Sequence, residues 1–481
     1  MGKGKSAGAS PGLRAVPFCR KRLVDGMALA AFATRVPAAG AMAGSDSPDP
    51  IARVPIGNPA YGHAIIALVL TPGVSRVPAD LMNHTATKTG GIPATRRAVL
   101  IGAARYRRHS YGSNHPLGIP RVSLTLDLIR AYGALTPQEF RASRPASSEE
   151  LEWFHTREYI GALRQCETDG KVAHRYRQRH NIGNFENPFF PGFFTTPATA
   201  AHGSILGAEM LLEGLIAFSP AGGMHHARAD AACGFCYIND PVLAITRLRR
   251  EGLRVLYVDI DAHHGDGVEA AFVRDRGVTT LSLHMDTAYA YPFAGGGIDD
   301  TGPLGNAVNL PLPQKIHDDE YRYAFNRVWP AVLQACRPEA IVLQAGTDIL
   351  APDPLGKFRI STQLFLEVVA RVLADAPTHP DGTPQLLVLG GGGYHPLVLA
   401  RCWTGVWGLL SGRDLPETIP AAGEALLRAV DWDLDEDEEY FEGLFTRRLD
   451  LAQPGELRGE LRERVEKLLD THPLLRSVSR R

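Results

Sequence analysis

From Ala98 onward the chain is paced by short apolar, β-branched runs: AVLIGA (98–103), LRVLYVDID (253–261), VTTLSLH (278–284), AVNLPL (307–312), EAIVLQAG (339–346) and QLLVLGG (385–391). Most are followed by a helical pattern, such as NDPVLAITRLRR, DDEYRYAFNRVWPAVLQAC or TQLFLEVVARVLADA. Buried runs with intervening amphipathic helices imply an α/β fold: a doubly wound, mostly parallel sheet with helices on both faces. No linker-like break interrupts this pattern, so a single domain is expected over 96–430.

The two ends read differently. Residues 1–95 are rich in Ala, Gly, Pro and Ser without a sustained period, and are expected to be a disordered or spurious extension. Basic residues ahead of GMALAAFAT faintly resemble a targeting peptide, but Arg35 interrupts a run already too short to span a bilayer. The acidic VDWDLDEDEEYFEGLF (430–445) leads into an end with many arginines, so residues 431–481 have the pattern of a helical tail with a solvated face. A formal net charge of -1 excludes a global field for nucleic acid or membrane. Six scattered cysteines do not form a disulfide framework, so a reducing, cytoplasmic setting is the default. Cys233 and Cys236 have the C-x-x-C form of a redox or zinc pair, but no second pair follows.

In open α/β sheets ligands bind at the carboxyl ends of strands. There the sequence places Asp259, Asp261, His263, His264 and Asp266 after one run, Asp348 and Asp353 after another, and Tyr394 after GGGG. A further apolar run, LIAFSPAGG, leads to Met224, His225 and His226. Singly, each has a bland reading: a hydrogen-bonded histidine pair, an aspartate capping a helix, glycines in a tight turn. Together they suit a mononuclear metal site. Three protein ligands with a position left open make a catalytic centre of the zinc type. Asp261 and His263, two apart on an extended segment, point to one side, and Asp348 from another strand end can complete the set.

The segments GGMHHARADAACGFCYINDPVLAI, YVDIDAHHGDGVEAAF, VLQAGTDILAPDPLGKF and LGGGGYHPLVLARCWT, in this order, closely resemble the histone deacetylase family, especially its bacterial acetoin-utilisation branch. HPLGIPRVSLTLDLI looks like the family's first loop and helix, and the likeness covers roughly 100–415. It implies an arginase-like fold and hydrolysis of an acetylated lysine, or a similar acetylated amine, to amine and acetate. Asp261, His263 and Asp348 would hold Zn²⁺, or Fe²⁺ in some members. His226 would be the general base, oriented by Asp266. His225, paired with Asp259, would stabilise charge, and Tyr394 would bind the developing oxyanion. Phe235, Tyr291, Glu186 and Gly234 would contact the substrate, with Glu186 standing where the family usually has an aspartate that grips the substrate backbone. The resemblance further implies a structural K⁺ on Asp259, Asp261, His263, Ser282 and Leu283, and a buried arginine, Arg121, near an acetate exit. It makes Cys233, where serine is common, an accident of spacing, and gives His264 no catalytic role.

Three other readings stay open. One is an acetylpolyamine or small-amide hydrolase with the same chemistry. Another is an arginase-type ureohydrolase with two Mn²⁺, and the last a non-catalytic binding module. Two basic stretches, RYRRH (105–109) and HRYRQRH (174–180), read as solvated loops; if both flank the pocket, a preference for acetyl-lysines with acidic neighbours is expected.

Overall fold

A computed structural model describes residues 94–476 apart from 109–110, 113–114 and 436, so nearly all of the expected 1–95 extension lies outside the described residues. The sheet has eight strands: β1 (Ala98–Gly102), β2 (Phe140–Ala142), β3 (Ile216–Ser219), β4 (Val255–Asp259), β5 (Val278–Met285), β6 (Ala307–Leu312), β7 (Ala340–Gln344) and β8 (Leu386–Leu389). Their order is β2-β1-β3-β8-β7-β4-β5-β6, and every pairing is parallel. Each apolar run named above forms a strand. Only β2 went unanticipated, because its three residues, FRA, are an incompletely buried edge with no apolar run to announce them.

Alternate residues of each strand feed opposite faces. Leu256, Val258, Leu343 and Val388 join a core with helices Arg121–Ala131, Asp318–Cys336, Thr362–Asp375 and Pro396–Ser411. Val255, Tyr257, Val342 and Leu387 face Thr195–Leu212 and Asp240–Arg250 on the other side. Burial on both faces is why these strands read as continuous apolar runs instead of alternating ones.

The solvated face expected of the tail holds for only part of it. Helix Gly459–Thr471 buries Leu461, Val465, Leu468 and Leu469 in the larger core, so this end is integral to the packing. Its arginines serve the same docking, for Arg458 forms a bidentate pair with the buried Glu320.

The topology also places the chemistry. The four polar strand ends follow β3, β8, β7 and β4, which are consecutive in the sheet. Side chains separated by more than a hundred residues therefore emerge side by side along one edge.

Candidate active site

Beyond β4 the chain leaves the sheet in bends, and its acids and imidazoles go to different partners. Asp261 and His263 meet Asp348 from the end of β7, and one donor atom from each lies within 4.8 Å of the others. His263 Nδ1 is 2.9 Å from Asp348 Oδ2 and 3.3 Å from Asp261 Oδ1. The other carboxylate oxygens are anchored by backbone donors: Gly392 N–H donates to Asp261 Oδ2 at 2.6 Å and Ala262 N–H to Asp348 Oδ1 at 2.8 Å. Each carboxylate is thereby aimed, which is the work of outer partners around a metal ligand.

Electrostatics agree with a cation at this point. Burial opposes charge on both acids, yet His225 and His263 hold Asp261 well below the usual carboxylate range. Burial and the nearby Asp261 push Asp348 up. Between them His263 rises to about 10 despite its burial, because both carboxylates favour positive charge on its ring. Two buried carboxylates converging with an imidazole fit a divalent ion of the zinc type.

The histidine pair occupies the neighbouring strand end. His225 Nδ1 lies 2.8 Å from Asp259 Oδ2, and His226 Nδ1 lies 2.7 Å from Asp266 Oδ1. The rings are 3.9 Å apart between centroids. Their environments drive them in opposite directions. Burial lowers both, but Asp259 and Asp261 outweigh it at His225 and raise that ring to about 9. At His226 burial and the charge on His225 exceed the pull of Asp266, leaving it at about 3. The two environments thus favour opposite forms, a charged ring at His225 and a neutral one at His226.

Tyr394 completes the cavity, which is also lined by Leu117, Arg121, His225, His226, Phe235 and Asp261. Burial first, then the charges of Asp348 and Asp261, raises its phenol far above the usual value, so it remains a donor. Arg121 lies against this pocket with its guanidinium on the carbonyls of Gly391 and Gly393.

The glycines before Tyr394 do more than mark a turn. A Cβ at Gly392 would lie 2.1 Å from Asp348 Oδ2, so only glycine lets this loop pass over the ligands. Gly234 is similarly committed: its φ is +53°, and a Cβ there would fall 2.5 Å from the His226 ring and 2.7 Å from that of Tyr291. Cys233 and Cys236 exchange backbone hydrogen bonds around Gly234 and Phe235, both in the left-handed region, so the C-x-x-C is a tight hairpin that projects Phe235 into the cavity.

Other assignments from the sequence land as follows. Phe235 stands edge-on to His115 (4.4 Å) and Tyr394 (6.2 Å), while Tyr291 packs at 4.6 Å on His226. Glu186 is 5% exposed, and its carboxylate accepts from Gly234 N–H at 2.5 Å and from Asn181 at 3.3 Å, with Tyr291 as a further partner. These inward bonds brace the loop that carries Phe235. His264 points away to Glu269, 3.0 Å distant. Ser282 pairs in register with Asp259, which brings Ser282 and Leu283 beside the metal-ligand strand.

Several supporting residues escaped the sequence reading. Tyr257 donates to Asp259 at 2.7 Å, and Arg228 grips the oxygen of Asp266 that faces away from His226. Asp353 was among the strand-end acids noted in the sequence, but its bond was not: Tyr394 N–H donates to it at 2.7 Å. His155 Nε2 accepts from Asn239 N–H, and the Asn239 amide in turn holds the carbonyls of His225 and Ala227. An interior tyrosine in VLYVD was the one available signal among these; the others depend on contacts that sequence spacing does not reveal.

Residues 115–410 match the histone deacetylase domain, which is more than half of the chain. The chain belongs to the histone deacetylase family. It is 39% identical over 309 residues to histone deacetylase 8 of Xenopus tropicalis, covering 62% of this chain and 80% of that protein. It is 38% identical over 338 residues to histone deacetylase 1 of Oryza sativa subsp. japonica, covering 69% of this chain and 63% of the rice protein. The crystal structure of an HDAC homolog complexed with SAHA aligns with a TM-score of 0.74 at 40% identity, over 78% of this chain and all of that one. An HDAC homolog from Aquifex aeolicus aligns with a TM-score of 0.73 at 39% identity and the same coverage. The eight-stranded parallel sheet is therefore the fold of this family.

Proposed function

We propose that this histone deacetylase family member hydrolyses the amide of an acetylated lysine to free amine and acetate. The observation that carries the proposal is the convergence of Asp261, His263 and Asp348 beside a cavity lined by a neutral His226 and a protonated Tyr394. Those three ligands would hold Zn²⁺, with Fe²⁺ as the alternative. When bound, such an ion supplies Lewis acidity to a carbonyl and lowers the pKa of water.

The chain's own groups supply the rest. His226, its Nδ1 committed to Asp266, presents Nε2 to accept a proton from the attacking water. Tyr394 donates to the acyl oxygen as negative charge develops there. His225, whose charged form Asp259 and Asp261 favour, would help to stabilise that charge. The proton taken by His226 passes to the leaving nitrogen as the C–N bond breaks. Phe235 and Tyr291 flank the approach, where an aliphatic stem is buried readily and a free ammonium is not. Gly234, with no side chain, lets the loop carrying Phe235 pack against the rings of His226 and Tyr291.

The structural K⁺ on Asp259, Asp261, His263, Ser282 and Leu283 remains part of this proposal, as do the acetoin-utilisation branch and a reducing, cytoplasmic setting. The latter is supported by free thiols at Cys166, Cys233, Cys236, Cys336 and Cys402. Among the described residues no helix is long and apolar enough to cross a membrane. Among them, too, the one grouping of three or more metal-capable side chains has three members, which favours one ion over the two of a ureohydrolase. The deciding experiment is elemental analysis of the purified protein with acetate release from an acetyl-lysine peptide by wild type and His226→Ala. Full activity in the variant, or turnover without a divalent metal, overturns the mechanism.

A further inference from the structure

The cavity mouth carries a surface that the chemistry does not use. Among the described residues, two of the four exposed large hydrophobics stand on loops that border the cavity: Phe185, 76% exposed, and Tyr289, 64% exposed. Phe185 immediately precedes Glu186, whose carboxylate is bonded to Gly234. Tyr289 is two residues from Tyr291, which packs on His226. Leaving two aromatic rings in water at an entrance forgoes their burial, and exposed apolar groups rimmed by polar ones mark interaction sites.

A few residues ahead of Phe185 in the chain stands the basic helix His174–His180. It is fixed to the mouth at its C-terminal end: Ala232 N–H donates to His180 carbonyl at 3.0 Å, and Asn181 donates to both Ala232 carbonyl (2.9 Å) and Glu186 (3.3 Å). Arg177 is four residues before Asn181, so about 6 Å along the axis separates it from that anchor. Lys171, His174, Arg175 and Arg177 are all exposed. Arg179 is occupied by Asp230 at 2.7 Å, whereas among the described residues no carboxylate pairs with Lys171, Arg175 or Arg177. Arg175 instead lies over the Tyr176 ring at 4.7 Å, which holds its guanidinium on the surface. In a chain of net charge -1 this is a local concentration of positive charge.

Resting on the deacetylase reading, we propose that the Phe185–Tyr289 rim and the Lys171/Arg175/Arg177 face form a docking surface for an extended peptide segment bearing acidic residues beside its acetyl-lysine. The aromatic pair would cover the backbone around the acetylated residue, and the basic face would meet aspartate or glutamate nearby. The same surface repels acetylpolyamines, whose remaining amines are cationic. Charge complementarity of this kind acts on encounter and selection and weakens with salt.

The test measures kcat/KM of the full chain on three substrates at low and high ionic strength. They are a capped single acetyl-lysine, an acetyl-lysine peptide flanked by Asp and Glu, and the same peptide flanked by Lys and Arg. The expected result is a preference of about tenfold for the acidic peptide at low salt, from several exposed pairs acting together. That ratio should shrink toward one at high salt and in the triple variant Lys171→Glu, Arg175→Glu, Arg177→Glu. Failure to turn over even the capped residue would refute the deacetylase reading itself. Turnover of the capped residue with equal rates on the two peptides at low salt refutes the docking surface alone. If the peptides are equal while a single-stranded RNA oligonucleotide binds wild type and not the triple variant, the surface belongs to nucleic acid and the proposal fails.

Discussion

Asp266 uses its two carboxylate oxygens on opposite tasks: Oδ1 sits 2.7 Å from His226 Nδ1, while Arg228 holds Oδ2. The arginine keeps the acid ionised and fixes its plane, and the acid fixes the tautomer and direction of the imidazole. Its carboxyl is accordingly held below the usual range, since Arg228 and His226 overcome the cost of burial. Asp266→Asn keeps the shape but can present an N–H to Nδ1, favouring the wrong tautomer. Activity on an acetyl-lysine peptide should fall by about 10–100-fold or more with metal content unchanged. Loss of metal in that variant would instead place Asp266 among the groups that support the ligands.

The Tyr394 hydroxyl can be removed without changing the ring. Because the phenol stays protonated and the Phe235 edge stabilises its ring, Tyr394→Phe should preserve the cavity. A donor aimed at developing charge contributes mostly to kcat, so a drop of about 10²–10³ in kcat is expected, with a smaller change in KM. A rise in KM at constant kcat would show the hydroxyl binding substrate and transition state alike.

How much of this was legible in the sequence depends on what each residue answers to. The strands and the ligand set were visible because apolar runs and the acids that follow them are local in sequence. Alternation of an extended backbone places Asp261 and His263 on one side, but the same rule would put Asp259 with them, so its bond to His225 was not legible from spacing. The inward bonds of Glu186 were not legible, because its place in a loop gives no sign of which way a side chain turns. The buried face of Gly459–Thr471 was missed because its charges drew the reading away from its Leu and Val positions. The glycines at 390–393 looked like punctuation, and only the proximity of Asp348, more than forty residues earlier in the chain, shows why Gly392 has no side chain. Gly392→Ala should therefore lower metal affinity at least tenfold, through displacement of Asp348, in a protein that still folds; competition with a chelator measures it.

If Glu186 braces the Gly234–Phe235 hairpin, its loss affects every substrate. Glu186→Ala removes the acceptor of Gly234 N–H and one of the two acceptors of the Asn181 amide, a cost of roughly 1–3 kcal/mol. Turnover of a capped acetyl-lysine and of a long peptide should fall by similar factors, with a lower unfolding midpoint. A selective loss on the peptide, at unchanged stability, would favour the rim role that its position first suggested.

His155 carries a pH dependence that can be read without reference to the metal. The ring is 2% exposed, and burial lowers it to about 4 from an ordinary value near 6.5. Its Nε2 accepts from Asn239 N–H, so the folded protein requires that nitrogen unprotonated. The unfolded chain takes up the proton first as pH falls. Stability from this group is thus complete above about 6.5 and is lost progressively down to about 4, by up to roughly 3 kcal/mol. His155→Gln, which can still offer an oxygen to Asn239, should be less stable than wild type at neutral pH and should lose less stability as pH is lowered through that window. Denaturant unfolding of both proteins at several pH values between 7 and 4 measures the difference. Parallel curves would show that the acid sensitivity arises elsewhere and that His155 is accommodated in its charged form. Converging curves would trace it to the neutral ring that, through Asn239, holds the backbone of His225 and Ala227 in place.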